Sequence, residues 1–461
     1  MSETAQELRA AWDELIAQLE RARDAIDDPA LMPPPPTDRL LAEGYRYLLG
    51  FTHSAFERAF FEDPKRPIVH NALSIFNKAT IENADAIYFA AAIDGRESYV
   101  LRGQAADFRH WKGAVPAPEG PIAPQYLIFE VTHGVLAGDT GSLAELRPGT
   151  KATMGRIDTS DLVVEPDGGF EILLAPERPD GHTGNFIRTR RRTSRPAPDD
   201  PEGRLERHAD YVSGRQLFYD WAREEPIHLQ LARVGEAEER PPAYGPGQAA
   251  REMRRMGSLV RGQMHFWNAF YTELLEVHGK RPGRDGPRFM PRNAFNPVNA
   301  ASGATGGGQS TNLYAGGIFE LGPDEALIVE TRVPVPAQYT GFHLANLWGE
   351  SIDYANRHSS LNGFQSETDA DGATRYVVAH RDPGVPNWLD TAGHREGFLT
   401  PRWAYSETPD EKDWPTISAR VVPFDQIRRH LPAETRTVTP EERNERIRIR
   451  QQHVKRRYRV F

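Results

Sequence analysis

The 461-residue chain is 39% hydrophobic and 26% charged, with a net charge of −9. These values exclude a disordered or fibrous protein, disfavour general nucleic-acid binding, and leave room for two to three domains of about 150 residues each. Cysteine is absent, which excludes disulfides, thiolate zinc sites, iron–sulfur clusters and a cysteine nucleophile.

The amino terminus, MSETAQELRAAWDELI, is acidic and amphipathic. It lacks a basic segment followed by an apolar one, so no secretory leader is expected. Leu8, Trp12, Leu15, Leu19 and Ile26 recur near helical spacing and predict a first helix. Pro33–Pro36 breaks it. Thr37 and Asp38 can cap a second helix with Leu41, Tyr45, Leu48, Leu49, Phe56 and Phe60 on its apolar side, ending near Asp63-Pro64. From about residue 80 the pattern turns to strands. Hairpins are expected over Ala86–Gly103, turning at Asp94-Gly95, and over Leu162–Leu174, turning at Asp167-Gly168. Residues 247–278 read as a long apolar helix, followed by the Gly-rich Ser302–Ser310. Strands resume at Tyr314, with another hairpin at Asp371-Gly372. The longest apolar run, Ala86–Ile93, is far short of a membrane span. The chain is therefore expected to be cytoplasmic, with no membrane partner.

The two strand-rich regions resemble each other. ILLA (172–175) aligns with YVVA (376–379), Asn185-Phe186 with Asn387-Trp388, Gln125-Tyr126 with Gln338-Tyr339, and Arg215–Trp221 with Arg402–Tyr405. The common order of these matches predicts a mainly β fold of two tandem β-sandwich, jelly-roll-like domains with helical additions. The expected units are a helical segment over 1–65, a first sandwich over 66–235, a connector over 236–313, a second sandwich over 314–435 and a basic tail over 436–461.

The strand GPDEALIVETRVP, the stretch GFHLANLWGESIDYANRHSSLN, the turn DADG and the loop HRDPGVPNWLD are similar to the family called domain of unknown function 1214. That resemblance covers residues 314–405. A shorter one, Asn83-Ala84-Asp85-Ala86-Ile87-Tyr88, is similar to the Asn-x-Asp-Thr-Leu-Tyr strand of its companion family 1254, with Ala86 in place of threonine. The resemblance implies paired sandwich domains and no established reaction.

Three constellations carry candidate chemistry. The first is His380, Arg381 and Asp382 with Asn387, Trp388, Asp390 and His394, on a loop shaped by two prolines and Gly384. Imidazole and carboxylate together can perform acid–base work near neutral pH; the alternative is a hydrogen-bonded loop closing the sandwich end. The second is Asp353–His358, with Arg357 and His358 foremost and Trp348 upstream, or else a solvated turn. The third is Asn83 and Asp85 with Tyr88: on a strand the first two share a face, as a base and its partner or as ties for the strand entry. His343, His358, His380 and His394 lie close in sequence but without metal-ligand spacing, so no metal is expected. The Arg188–Arg195 run suits an anion or a solvated loop. The tail Arg443–Arg459 reads as a surface helix or subunit contact. No Walker loop, nucleophile elbow or dinucleotide fingerprint is present.

The expectation is a soluble, cofactor-independent enzyme acting on a small organic substrate, a hydrolase or lyase, with carbohydrate and lipid- or terpenoid-like compounds as candidates. His380 or His358 would be the acid–base group, with Asp382 or Asp85 as partner. Arg357, Arg381, Trp388, Trp348, Tyr88, Asn83 and His394 would contact the substrate. No nucleic-acid partner is expected, and a homo-oligomer is. The alternative is a non-catalytic binding or assembly protein. A concave, partly apolar cleft holding two or more of these residues would favour the enzyme.

Overall fold

The computed structural model describes residues 2–31, 33–134, 137–147, 150–194, 201–235, 241–272, 290–301 and 308–458. The first sandwich contains β1 (His70–Leu73), β2 (Ala86–Ala92), β3 (Tyr99–Gln104), β4 (Tyr126–His133), β5 (Ala152–Asp158), β6 (Gly169–Ala175), β7 (Asn185–Arg188), β8 (Arg190–Arg192), β9 (Glu206–His208), β10 (Tyr211–Leu217) and β11 (Leu229–Arg233). The second contains β12 (Asn312–Tyr314), β13 (Gly317–Glu320), β14 (Glu325–Arg332), β15 (Tyr339–Ala345), β16 (Ser360–Asn362), β17 (Thr374–Ala379), β18 (Trp388–Asp390), β19 (Glu396–Ala404) and β20 (Thr416–Pro423).

The fold is mainly β, as the alternating patterns predict. Sheet β1-β2-β10-β4-β5 faces β11-β3-β6-β7 in the first sandwich. Sheet β12-β19-β15-β16, with β13 also on β19, faces β18-β17-β14-β20 in the second. The orders β2-β10-β4-β5 and β11-β3-β6-β7 correspond to β12-β19-β15-β16 and β20-β14-β17-β18, while β1 and β13 differ. Phe89, Phe129, Leu101 and Ile172 fill the first core. Phe319, Phe342, Leu327 and Val378 fill the second.

The repeat extends to side-chain bonding. Asn185 Nδ2 donates to the carbonyls of Val163 (2.8 Å) and Glu171 (2.9 Å), and its Oδ1 accepts from Val163 N (2.8 Å). Asn387 makes the same three bonds to Glu367 and Arg375 (2.7, 2.8 and 3.0 Å). This corrects one expected hairpin. Val163 gives its backbone groups to Asn185 rather than to a ladder, so Leu162–Glu165 is not a strand; only the turn at Asp167-Gly168 remains, closed by Glu165 N to Gly169 O (2.8 Å). Ala86–Gly103 also differs: β2 and β3 lie in opposite sheets, and Asp94-Gly95 carries the chain across the sandwich.

Three helices cover one side. Helix α1 (Glu3–Asp24) buries Ala11, Leu15 and Ala22, leaving Trp12 largely exposed. Helix α2 (Asp38–Phe61) is capped by Thr37 Oγ1, as its sequence predicts. It buries Leu40, Tyr47, Leu48, Phe51 and Ala55, whereas Tyr45, Leu49 and Phe56 are exposed. The buried stripe is the one containing Gly44, where a Cβ would come within 2.8 Å of the Trp348 indole. Packing against the second sandwich selected that face over the more aromatic one. Helix α3 (Pro246–Phe270) joins α1 and α2 with Leu347, Trp348 and Phe398 in a shared core. Most of its apolar residues pack within the chain; residues 273–278 of the expected helix and most of the Gly-rich loop lie outside the described residues. No helix among the described residues is long and apolar enough to cross a membrane.

The basic tail is a surface helix with one face docked onto the sandwiches. Helix α4 (Pro440–Arg457) buries Arg443, Arg450 and Arg457, spaced seven apart on one face. Arg443 pairs with Asp382 (2.9 Å), Arg450 donates to Tyr354 O (3.1 Å), and Arg457 donates to Ala84 O (2.6 Å) beside the Trp221 ring. The described part of the Arg188–Arg195 run, residues 188–194, is the solvated alternative: Arg188 and Arg190 both pair with exposed Glu177.

Because Asn185 and Asn387 make equivalent bonds, Asn185→Ala and Asn387→Ala should each lower unfolding stability by about 1–3 kcal/mol. Urea denaturation checks this; a loss below about 0.5 kcal/mol in both, the range of ordinary surface substitutions, would show that the shared bonds do not support the sandwiches.

Candidate functional site

Each sandwich sheet alternates one side chain into its own core and the next outward. In YLIFEVTH of β4, Leu127, Phe129 and Val131 point into the first core. Tyr126, Ile128, Glu130 and Thr132 occupy the other face, yet all are buried. The second sandwich covers Tyr126 and Ile128, and Glu130 and Thr132 line a cavity beside them. Ala86, Tyr126, Ile128 and Leu217 pack there against Tyr339 and Ala404. Asp85 bonds across the same junction, accepting from Tyr339 Oη (2.6 Å), Trp221 Nε1 (3.0 Å) and Asn362 Nδ2 (3.1 Å).

Beyond this junction a cavity of about 640 Å³ lies between the sheets and the helices. Its helix-side wall is largely aromatic, with Phe51 of α2 and Phe266, Trp267 and Phe270 of α3, beside Arg58 of α2 and Gln263 of α3. The sheet side is polar and follows the repeat. Arg215 lies opposite Tyr88 in the neighbouring strand, and Arg402 lies opposite Tyr314 in the same way. Each guanidinium sits over its tyrosine ring, at 5.2 and 5.8 Å. Arg215 is 3.5 Å from Glu130, and Arg402 is 3.3 Å from His343 at the matching place in β15.

Five cationic side chains (Arg58, Arg147, Lys151, Arg215 and Arg402) face three carboxylates (Glu82, Glu130 and Asp139) around the cavity. Arg58 and Asp139 satisfy each other through two bonds of 2.7 and 2.8 Å. Glu130 is 1% exposed. Burial pushes its carboxyl pKa up, but the Lys151 and Arg215 charges and the Ser310 hydrogen bonds bring it below the usual range. Burial lowers the Lys151 pKa, Glu130 opposes that, and Arg215 adds to the lowering. Glu82, hydrogen-bonded to Ser351, is raised by burial despite nearby Lys78. Arg402 is 7% exposed, and its Nε has no partner among the described residues. Thr80 and Ile81 on the cavity wall both hold φ at +56°, which is strained for β-branched residues. Ile81 is held there by Gly349 O (2.9 Å) and by Arg402 on its own carbonyl (3.0 Å).

Of the eleven residues singled out from sequence, Tyr88 lines this cavity and the others do not. The 380–394 loop is framework. His380 meets Thr391 Oγ1 (2.7 Å) and Leu321 O (3.3 Å); Asp382 accepts from Gly384 N (2.8 Å) and pairs with Arg443. His358 is buried against Trp388, whose Nε1 donates to Ala379 O. Arg381 pairs with Asp324 on the surface, and the exposed Arg357 lies 3.6 Å from buried Asp390. His394 is 3.1 Å from Glu43, and Trp348 Nε1 donates to Leu40 O (2.8 Å), tying the second sandwich to α2. Asn83 and Asp85 precede β2 in a turn, where Asn83 Oδ1 accepts from Asp85 N (3.0 Å) and Tyr339 Oη (3.1 Å). No cluster of three or more metal-ligating side chains occurs among the described residues. Arg215 and Arg402 were visible as repeat markers, and Glu130 as a carboxylate within an apolar strand. Nothing in sequence marks Lys151.

No protein-family model matches the chain, and no curated protein matches it. Among solved structures, an uncharacterized protein from Burkholderia cenocepacia superposes with a TM-score of 0.71 at 24% identity, over 92% of this chain and 100% of that one. A Vibrio parahaemolyticus protein of 9% identity gives a TM-score of 0.38 over 88% of this chain and 100% of its own. The chain shares the double-sandwich fold of the Burkholderia protein.

His358 provides a pH test of this framework. Burial, with the charges of Arg450 and Arg443, pushes its pKa down to about 2. The unfolded imidazole titrates near about 6.5. Above that pH both states are neutral; as pH falls below it, the unfolded chain gains a proton that the folded chain refuses. Stability is therefore lost on acidification. Between pH 7 and 5.5, His358→Gln should lose about 1 kcal/mol less than wild type in urea titrations. An equal loss would mean that His358 titrates alike in both states.

Proposed function

We propose that the protein is an enzyme acting on a small organic anion with an apolar body, bound in the cavity between the sandwiches. The observation that carries this reading is one concave space with an aromatic wall opposite three cationic side chains, Lys151, Arg215 and Arg402. The anionic end of the substrate meets Arg402 and Arg215, and Arg402 still has an unused buried donor. The apolar end lies against Phe266, Trp267 and Phe270. Glu130 and Lys151 take the acid–base role expected of a hydrolase or lyase, since they line the cavity while His380, His358 and Asp382 do not. The resemblance to family 1214 belongs to the same proposal and bears on the fold, because the loop that carries it is tied to α4 by Arg443.

The competing reading is a non-catalytic carrier that uses the same cavity. It draws support from the structural duties of the expected His and Asp residues.

3-Phenylpropionate should stabilise the protein in a thermal-shift titration, and its uncharged amide should bind at least about tenfold more weakly, a difference of about 1.4 kcal/mol. Arg402→Met should remove that preference. Equal affinity for acid and amide would overturn the anion reading. Acids that bind are then incubated with the protein and followed by mass spectrometry; Glu130→Gln should slow turnover by about 10²–10⁴. Binding of every acid without turnover would favour the carrier.

A further inference from the structure

Lys151 stands apart among the chain's seven lysines. It precedes β5 and lines the cavity. An ammonium has three donors, but among the described residues Lys151 Nζ hydrogen-bonds to the Gly308 carbonyl (2.9 Å) and to no carboxylate. Lys78 is the useful contrast. Its Nζ donates to Ser351 O (2.7 Å) and lies 4.5 Å from the Tyr354 ring centroid, outside the cavity lining. The carboxylate charge that acts on Lys151 comes from Glu130, on the same polar wall.

We propose that Lys151 is a covalent site: its amine forms an imine with a carbonyl carbon of the anion held in the cavity, which makes the substrate class an oxo acid with an apolar body. This inference rests on the anion reading above. The step needs a neutral amine, and the lowered pKa of Lys151 supplies more of it at neutral pH. Nζ attacks the carbonyl carbon; the C–N bond forms while the C=O π pair moves to oxygen, which takes up a proton. Loss of a second N–H proton and departure of the oxygen as water leave C=N. The reaction consumes one amine and one carbonyl, releases one water, and requires no oxidant or reductant. Glu130 is the group placed to accept and return the proton, and the arginines hold the carboxylate so that the carbonyl faces Nζ.

The full-length protein is incubated with phenylpyruvate and sodium cyanoborohydride, digested and mapped by mass spectrometry, alongside thermal-shift titrations with phenylpyruvate and 3-phenylpropionate. The expected result is one reduced adduct per chain, at Lys151. It should be absent without reductant and in Lys151→Arg, and reduced at least tenfold by excess 3-phenylpropionate. Lys78 should remain unlabelled. If both acids bind, Arg402→Met weakens both, and wild-type protein gives no adduct, the imine is overturned while the anion reading stands. Labelling spread over several lysines, or unaffected by 3-phenylpropionate, also overturns it. If neither acid binds, the anion reading fails and the imine falls with it. Mapping the wild-type protein decides the question even if Lys151→Arg does not fold.

Discussion

Asp85 ties the molecule together. It is 1% exposed and accepts hydrogen bonds from both sandwiches, through Trp221, Tyr339 and Asn362. Burial raises its pKa; the Tyr339 hydroxyl and the charges of Arg457 and Arg450 oppose that. A buried carboxylate is costly unless its acceptors are filled. Here the groups that fill them come from two domains, and the compensating charges come from a helix nearly four hundred residues away in sequence. Removing any one of the three would leave polar groups stranded, so their relative placement is fixed. Everything at the junction beyond Asp85, including the cavity, depends on that placement.

The cavity is a consequence of duplication. Two similar sheets meet through their outward faces, so residues that would be solvated in a lone sandwich become buried. Matching positions bring Arg215 with Tyr88 and Arg402 with Tyr314 to the same space. Divergence then supplies chemical polarity. Glu130 in one copy is His343 in the other, and burial together with Arg402 holds that imidazole well below its ordinary pKa. Lys151 adds an amine on one side only. Residues shared by both copies thus meet residues found in one copy around a single cavity. Comparing the repeats for unmatched polar residues leads instead to the 380–394 loop, where Asp382 docks α4, His394 meets Glu43 of α2, and His380 and Arg381 bond within the second sandwich.

The preference for arginine over lysine also has a structural use. Arg443, Arg450 and Arg457 form a buried stripe because a planar guanidinium can stack on Trp388 or Trp221 while donating to backbone carbonyls. The seven-residue spacing was open to inspection in sequence. What it lacked was any sign that a polar strip of sandwich surface waited to receive it, and a charge run with no known partner reads as solvated.

Periodicity, turn dipeptides and internal similarity determined the strand-rich class, the tandem arrangement and the Asn185–Asn387 equivalence, because these are local or depend on comparing one stretch with another. Helix α2 shows the limit: its sequence offers two apolar stripes, and Trp348 against Gly44 chose between them. The hairpin at Asp94 shows another, since a turn dipeptide states that the chain reverses but not which sheet receives it. The candidate site lay beyond both. Its walls come from α2, α3 and facing strands of two domains, and its Lys151 is an ordinary surface residue by every local measure. Only the packing of one sandwich and the helices against the other brings those side chains together.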